Sequence, residues 1–422
     1  MIFLTTGEKV RSLRKKLGMR QQELEDANIT RAFISMIETG KRGLSRETAK
    51  ALAEKINSKA VKLGLKISID EEFFLRTPEE DAELYCSEKL NNDPTNDEID
   101  VILDICKRYN LIKTQARSYM ILGDYAFEVE DYKKAFINYM MSLDLYKDTD
   151  DKSALAYLYN TLGACKWNDG VYFEALALFE RANYYSVFLN DVKLEKYSLY
   201  NIARTYKALN SYEDALVYAD KFLCLCNKAD ENKGFIAANI LKAGCYIEKG
   251  IKEKAVFIYI ELLKEFQSTN DESLWKVYND LGVIYAEENN YHRSKEYFIK
   301  AEKVALEKNR KNLSLTFIER ASVCIKQGEY EEALNFANKG LKLAVEFNDT
   351  DTIVKAYYQL EGIYRNLEDF NNMKNTYTKL LDIIKDKENY KQDSFKIYNK
   401  LALLYLEQND IEMCKKYLSI VS

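Results

Sequence analysis

The sequence predicts an all-α chain: a small basic head of four helices, followed by a long array of helical hairpins. Three observations carry this. Only 2 of 422 residues are proline and 15 are glycine, so few segments are forced out of helix. One small-residue position recurs about every 40 residues through most of the chain. Charge is also unevenly spread: residues 1–66 hold 15 Lys and Arg against 7 Asp and Glu, leaving 47 basic and 60 acidic residues in the remainder. A basic head on an acidic body predicts that the head alone meets a polyanion.

The elements of the head follow in order. Thr5 and Glu8 form a capping box that opens a first helix running to about Leu17, with Val10, Leu13 and Leu17 on one face. Gly18 ends it. The stretch QQELEDA reads as a short second helix from Gln21, lacking a good cap because Arg20 precedes it. Thr30 caps a third helix that turns Ile34 and Ile37 inward and Arg31, Ala32 and Ser35 outward. Gly40 stops it, and Ser45 caps a fourth helix with Ala49, Leu52, Ala53 and Ile56 inward.

After the head, ISIDEEFFLRTP breaks the basic pattern, and residues 67–111 read as a linker with the first atypical helices. Repeats fill 112–422. Their anchors are Gly123, Gly163, Ala203, Ala243, Gly282, Ala321, Glu361 and Ala402, spaced by 39 to 41 residues. Large residues stand four before (Tyr119, Tyr159, Leu199, Tyr278), a Leu or Ile often one before, Tyr three after and Ala twelve after. A small anchor lets two helix backbones approach where they cross, and the flanking rings fill the grooves beside it. Glu361, and Asn239 four before Ala243, depart from the pattern.

Composition excludes several classes. No run of 18 apolar residues exists, so no membrane span is predicted, and the four-residue apolar run at the N-terminus is too short for a secretion signal. A cytoplasmic protein is expected. The eight cysteines form no C-x-x-C pair and read as small buried side chains. With His292 the only histidine, a histidine metal site or a catalytic triad is not expected, and neither is a cofactor.

Residues 7–57 resemble a helix-turn-helix domain of the lambda-repressor/Cro type. The resemblance rests on LxxxxITRAFISMIETGKR, with Ser35, Ile37 and Glu38 in the family's pattern. It implies that Gln21 and Ser35 hydrogen-bond phosphates, that Arg31 and Ala32, beside Thr30, face base edges, and that Lys41 and Arg42 touch the backbone beyond the recognition helix. A four-helix bundle that binds a protein instead is the alternative. The body resembles tetratricopeptide repeats with a longer period, about eight hairpins in a right-handed superhelix with a concave inner face. Together the halves resemble the RRNPP-type peptide-pheromone receptors of Gram-positive bacteria (the Rgg, NprR, PlcR and PrgX group). That resemblance implies a homodimer on double-stranded promoter DNA, switched by a short imported signalling peptide. The rival is a repeat scaffold controlling a protein partner, as the related Rap proteins control a response regulator.

The face open to a peptide is expected opposite the core stripe of each first helix, at six, three and two residues before the anchor and one after. It holds Tyr157 and Asn160, then Tyr197, Tyr200, Asn201 and Arg204, then Lys276 and Asn279. Asn amides suit an extended peptide backbone, and Arg204 or Lys276 a terminal carboxylate.

Overall fold

The computed structural model describes residues 2–26, 29–147, 149, 151–227, 232–269, 271–385 and 390–421. They form 22 α-helices and fall into two compact units, residues 1–195 and 196–422.

The head begins with α1 (Thr6–Lys16), capped by the Thr5–Glu8 box. α2 (Arg31–Glu38) starts where the Thr30 hydroxyl accepts from the Phe33 amide, and α3 (Arg46–Lys62) starts where Ser45 does the same for Thr48. Between α1 and α2 the expected second helix shrinks to a single 3-10 turn, Gln21–Leu24. Arg20 has no acceptor to offer the turn's amides; Glu23 reaches back to the Arg20 amide, and the chain leaves helix at Glu25. Ala27 and Asn28 lie outside the described residues. Leu24, Ile34, Ile37, Ala49, Leu52 and Ile56 are fully buried and form one core. Gly7 brings α1 against α2: a Cβ there would lie 2.2 Å from the Ile37 carbonyl oxygen.

The segment after residue 66, expected to be a linker, instead packs under the head. Asn57 exchanges two hydrogen bonds with the Ile69 backbone, and Phe74 of α4 (Glu71–Leu75) sits fully buried in the head's core. Lys9 is buried as well. Its ammonium donates to the carbonyls of Phe73 (2.9 Å) and Arg76 (2.7 Å) and pairs with Asp81 of α5 (Pro78–Leu90). Phe3 packs against Tyr85 and against Tyr109 of α6 (Asn96–Tyr109). Burying a cation is tolerable because two carbonyls and a carboxylate replace its water.

Eight hairpins follow. In the first unit they are α7 (Ile112–Glu128) with α8 (Tyr132–Tyr146) and α9 (Lys152–Asn168) with α10 (Tyr172–Phe188). Next come α11 (Val192–Ala208) with α12 (Tyr212–Leu225), α13 (Asn232–Glu248) with α14 (Lys252–Phe266), and α15 (Leu274–Glu287) with α16 (Tyr291–Lys308). The chain ends with α17 (Leu313–Gln327) and α18 (Tyr330–Glu346), α19 (Thr350–Asn366) and α20 (Phe370–Ile384), and α21 (Lys391–Glu407) and α22 (Ile411–Val421).

The glycine anchors and Glu361 meet the residue sixteen further on, in the second helix of their own hairpin. A Cβ on Gly123, Gly163 or Gly282 would fall within 2.9 Å of the ring of Tyr139, Phe179 or Phe298 respectively. Where the residue sixteen on is itself small, as Ala219 after Ala203 and Ala337 after Ala321, the anchor carries a methyl group, and both residues are buried in one core. At Glu361 the exchange is chemical: its buried carboxylate accepts from Tyr377 (2.9 Å), Arg365 (2.8 Å) and Lys400 (2.9 Å). The residue seven after every anchor has φ between 54° and 78°, and the next element starts two residues later. Gly, Asn or Glu in this left-handed position ends each first helix, which is why the array needs no prolines.

Of the eight cysteines, Cys86, Cys106, Cys165, Cys245, Cys324 and Cys414 are buried, as expected. Cys224 is exposed and Cys226 half-buried, because the end of α12 leaves both outside the hairpin's core.

Candidate nucleic-acid interface and ligand face

The head presents one concave groove of about 630 Å³, lined by Arg11, Arg14 and Lys15 of α1, Arg20, Gln21 and Gln22 of the 3-10 turn, and Arg31, Ser35, Glu38 and Thr39 of α2 and its end. Its geometry is set by one half-buried pair. Arg14 meets Glu38 through two parallel bonds of 2.5 and 2.9 Å and also donates to the Met19 carbonyl. Gln21 Nε2 donates to the same carboxylate at 3.0 Å. Burial works against the charge on Glu38, but the Arg14 and Gln21 hydrogen bonds overcome it and hold the carboxyl below the usual carboxylate range. Arg11, Lys15, Arg20 and Arg31 remain as exposed cations around the groove. The arrangement suits a phosphate-bearing surface, with α2 at its centre.

The residues singled out from sequence divide as follows. Gln21, Arg31 and Ser35 line the groove, and Gln21 keeps a second amide hydrogen beyond the one given to Glu38. Ala32, Lys41 and Arg42 are exposed outside it; Arg42 lies 6.0 Å from the Phe33 ring. Thr30, exposed, spends its hydroxyl's acceptor capacity on the cap. The sequence reading missed Arg11 and Lys15. Their spacing of four on one helix face, beside the Gln21 turn, was the available signal.

The ligand-face residues fare unevenly. In the first unit Tyr157 is half-buried, and its hydroxyl donates to Asp124 at 2.7 Å, where Tyr139 also donates at 2.7 Å. Burial pushes Asp124 above its usual range, against the effect of the two hydroxyls. Asn160 is half-buried and already engaged within the chain. In the second unit Tyr197 is 55% exposed. Asn201 and Arg204 are half-buried and engaged. Tyr200 and Lys276 line a groove of about 610 Å³ together with Ile240, Asp271, Trp275 and Lys308. Trp275 is fixed there by its Nε1 bond to Thr316 (2.8 Å), and Lys276 pairs with Asp280 (2.6 Å). Asn279 corrects the expectation: it is 1% exposed, and its Oδ1 has no hydrogen-bond partner. The position three before the anchor is fully covered here and again at Ile318, although it stays half-buried at Asn160 and Tyr200.

Among the described residues Cys324, Glu329 and Glu332 gather closely enough to share a cation. Burial raises the Cys324 thiol to about 11, which keeps it protonated and a poor ligand at neutral pH. No described helix is long and apolar enough to cross a membrane.

Comparison with known proteins agrees with this architecture. A helix-turn-helix family model matches residues 10–63, and a tetratricopeptide-repeat model matches 276–307, 354–387 and 395–419. Response regulator aspartate phosphatase E of Bacillus subtilis (strain 168) is 23% identical over 266 residues, spanning 62% of this chain and 70% of that protein. The apo form of the quorum sensor NprR from B. thuringiensis superposes with a TM-score of 0.55 at 20% identity, over 81% of this chain and 98% of that one. NprR in complex with its cognate peptide NprX gives 0.51 at 20% identity and the same coverage. The matches thus give a helix-turn-helix head followed by tetratricopeptide-like hairpins, and the NprR structures share the helical-repeat fold.

Proposed function

We propose that the chain is a quorum-sensing transcriptional regulator. Its head binds promoter DNA, and a short imported peptide on the inner faces of its repeats controls that binding in the cytoplasm. The observation that carries the first half is the groove centred on α2, ringed by the cations of Arg11, Lys15, Arg20 and Arg31 around a rigid Arg14–Glu38 pair. In it Arg31 reads a base edge and Gln21 and Ser35 hold phosphates, while Lys41 and Arg42 extend the contact along the backbone. The second half is supported by the likeness to NprR, whose structure holds its cognate peptide, and by the Tyr200–Lys276 groove. Tyr197, Asn201 and Arg204 extend the peptide face within the second unit, and Tyr157 and Asn160 belong to the inner face of the first. The chain works as a homodimer and as a receptor rather than an enzyme.

The test is a mobility-shift titration of the full chain on the DNA upstream of its own gene. Arg11→Ala with Arg31→Ala should abolish the specific shift. Unchanged affinity in that double variant would remove the groove from DNA binding. The relative named as a response regulator phosphatase favours a second reading, control of a response regulator. It predicts a stable complex with that protein and no shift of promoter DNA.

A further inference from the structure

We propose that the outer face of α10 is a self-complementary surface that pairs with α10 of a second copy about a two-fold axis. This rests on the dimeric reading above and assigns it a place.

α10 turns an uncommonly apolar stripe to solvent. Phe173 is 78% exposed, Tyr184 66%, Phe188 57% and Val187 50%, with Ala177 exposed between them. At about 100° per residue these five, with Glu180 and Arg181, fall within roughly a third of the helix circumference. Exposed apolar side chains are ordinary singly; a continuous stripe with several rings is a contact surface. One hairpin earlier Ile137 and Met141 are exposed at the matching positions of α8 and widen the face within the same unit.

The order of residues argues for a second copy rather than a different protein. Take a two-fold axis passing between residues 180 and 181, perpendicular to the helix. In an antiparallel pair Glu180 then opposes Arg181 of the other copy, twice over. Small Ala177 opposes large Tyr184, and Phe173 opposes Phe188. Opposite charges at the centre, small against large beside them and ring against ring at the ends is what an isologous contact requires. The groove that would receive the opposing Tyr184 is present. It is about 460 Å³, lined by Tyr159, Ala177, Glu180, Arg181, Tyr184 and Tyr185. Its wall is stiff: Tyr159 and Tyr185 stack with centroids 5.7 Å apart, and Arg181 lies over the Tyr159 ring at 5.6 Å. The head also asks for a partner. α2 is only eight residues long and covers one half-site.

The test is sedimentation of the full chain in physiological salt across a concentration series, with circular dichroism to verify folding. The parent should dimerise. Glu180→Arg alone and Arg181→Glu alone should each weaken the dimer at least tenfold, because each puts like charges together twice. The double variant Glu180→Arg, Arg181→Glu should return to within about threefold of the parent, a recovery that loss of the Arg181–Tyr159 contact does not give. Phe173→Ser should weaken the dimer in either background. A dimer that ignores both reversals, or a double variant no tighter than the singles, overturns the proposal. So does a monomeric parent, with or without another protein captured on this face. Promoter binding measured alongside separates the two readings: DNA binding by a chain that dimerises elsewhere defeats this surface only.

Discussion

Glu38 organises the groove of the head from beneath its exposed cations. Its carboxylate ties Arg14 and Gln21, and so α1 and the 3-10 turn, to the end of α2. Because its folded pKa lies below the ordinary 4.5, its contribution is fully present above that pH and is lost as pH falls through the folded value. Glu38→Ala should therefore cost about 1–3 kcal/mol at neutral pH, since it strands the Arg14 guanidinium, and less at a pH well below 4.5. Urea unfolding at the two pH values checks this; an equal loss at both would contradict it. The groove's exposed cations should behave differently from one another. Arg31→Ala should cost about 1–3 kcal/mol and relax sequence preference. Lys15→Ala should weaken all duplexes alike and lower the salt slope by about one. Anisotropy titrations on matched and scrambled duplexes distinguish them, and equal behaviour of the two variants would refute the division of roles.

At the scale of the element, the anchor position decides how closely each pair of helices packs. Gly163→Ala places a methyl group 2.7 Å from the Phe179 ring and should cost about 1–3 kcal/mol, read as a lower denaturant midpoint. Glu361→Ala is the sharper case. It restores the small residue of the repeat, yet it removes the common acceptor of Tyr377, Arg365 and Lys400. The variant should lose about 1–3 kcal/mol; a gain would show that the pattern outweighs the network. The anchors were legible in the sequence because a backbone crossing demands a small residue at one place in every period. The compensation at Glu361 was not, since Lys400 lies 39 residues away. Nor was the repeated left-handed turn, which Gly, Asn and Glu satisfy alike without a shared letter. The second helix of the head was misread for the opposite reason: QQELEDA has good propensity, but a helix start without an acceptor cannot hold four free amides. Asn279 was misplaced because spacing gives the direction of a side chain and not what the neighbouring hairpin lays over it.

At the scale of the molecule, charge asymmetry and periodicity disclosed the division into a head and an array of hairpins. The coupling between them was hidden. A stretch read as a linker carries Phe74 into the head's core, and the buried ammonium of Lys9 fastens α1 to Phe73, Arg76 and Asp81. The head is therefore seated on the first helices of its own unit, so a change in those helices is passed to α2 without a slack tether. Lys9→Met should uncouple them, lowering the thermal midpoint and separating the response of the head from that of α5 in hydrogen exchange; a single undisturbed transition would contradict the coupling. The most direct measurement is the affinity of the full chain for a labelled duplex from its own promoter, by anisotropy, with and without the peptide fraction of the producing culture. Salt-dependent binding that the peptide fraction shifts several-fold in either direction is the predicted result. Promoter affinity no greater than for a scrambled duplex, or indifferent to every peptide fraction, would contradict it.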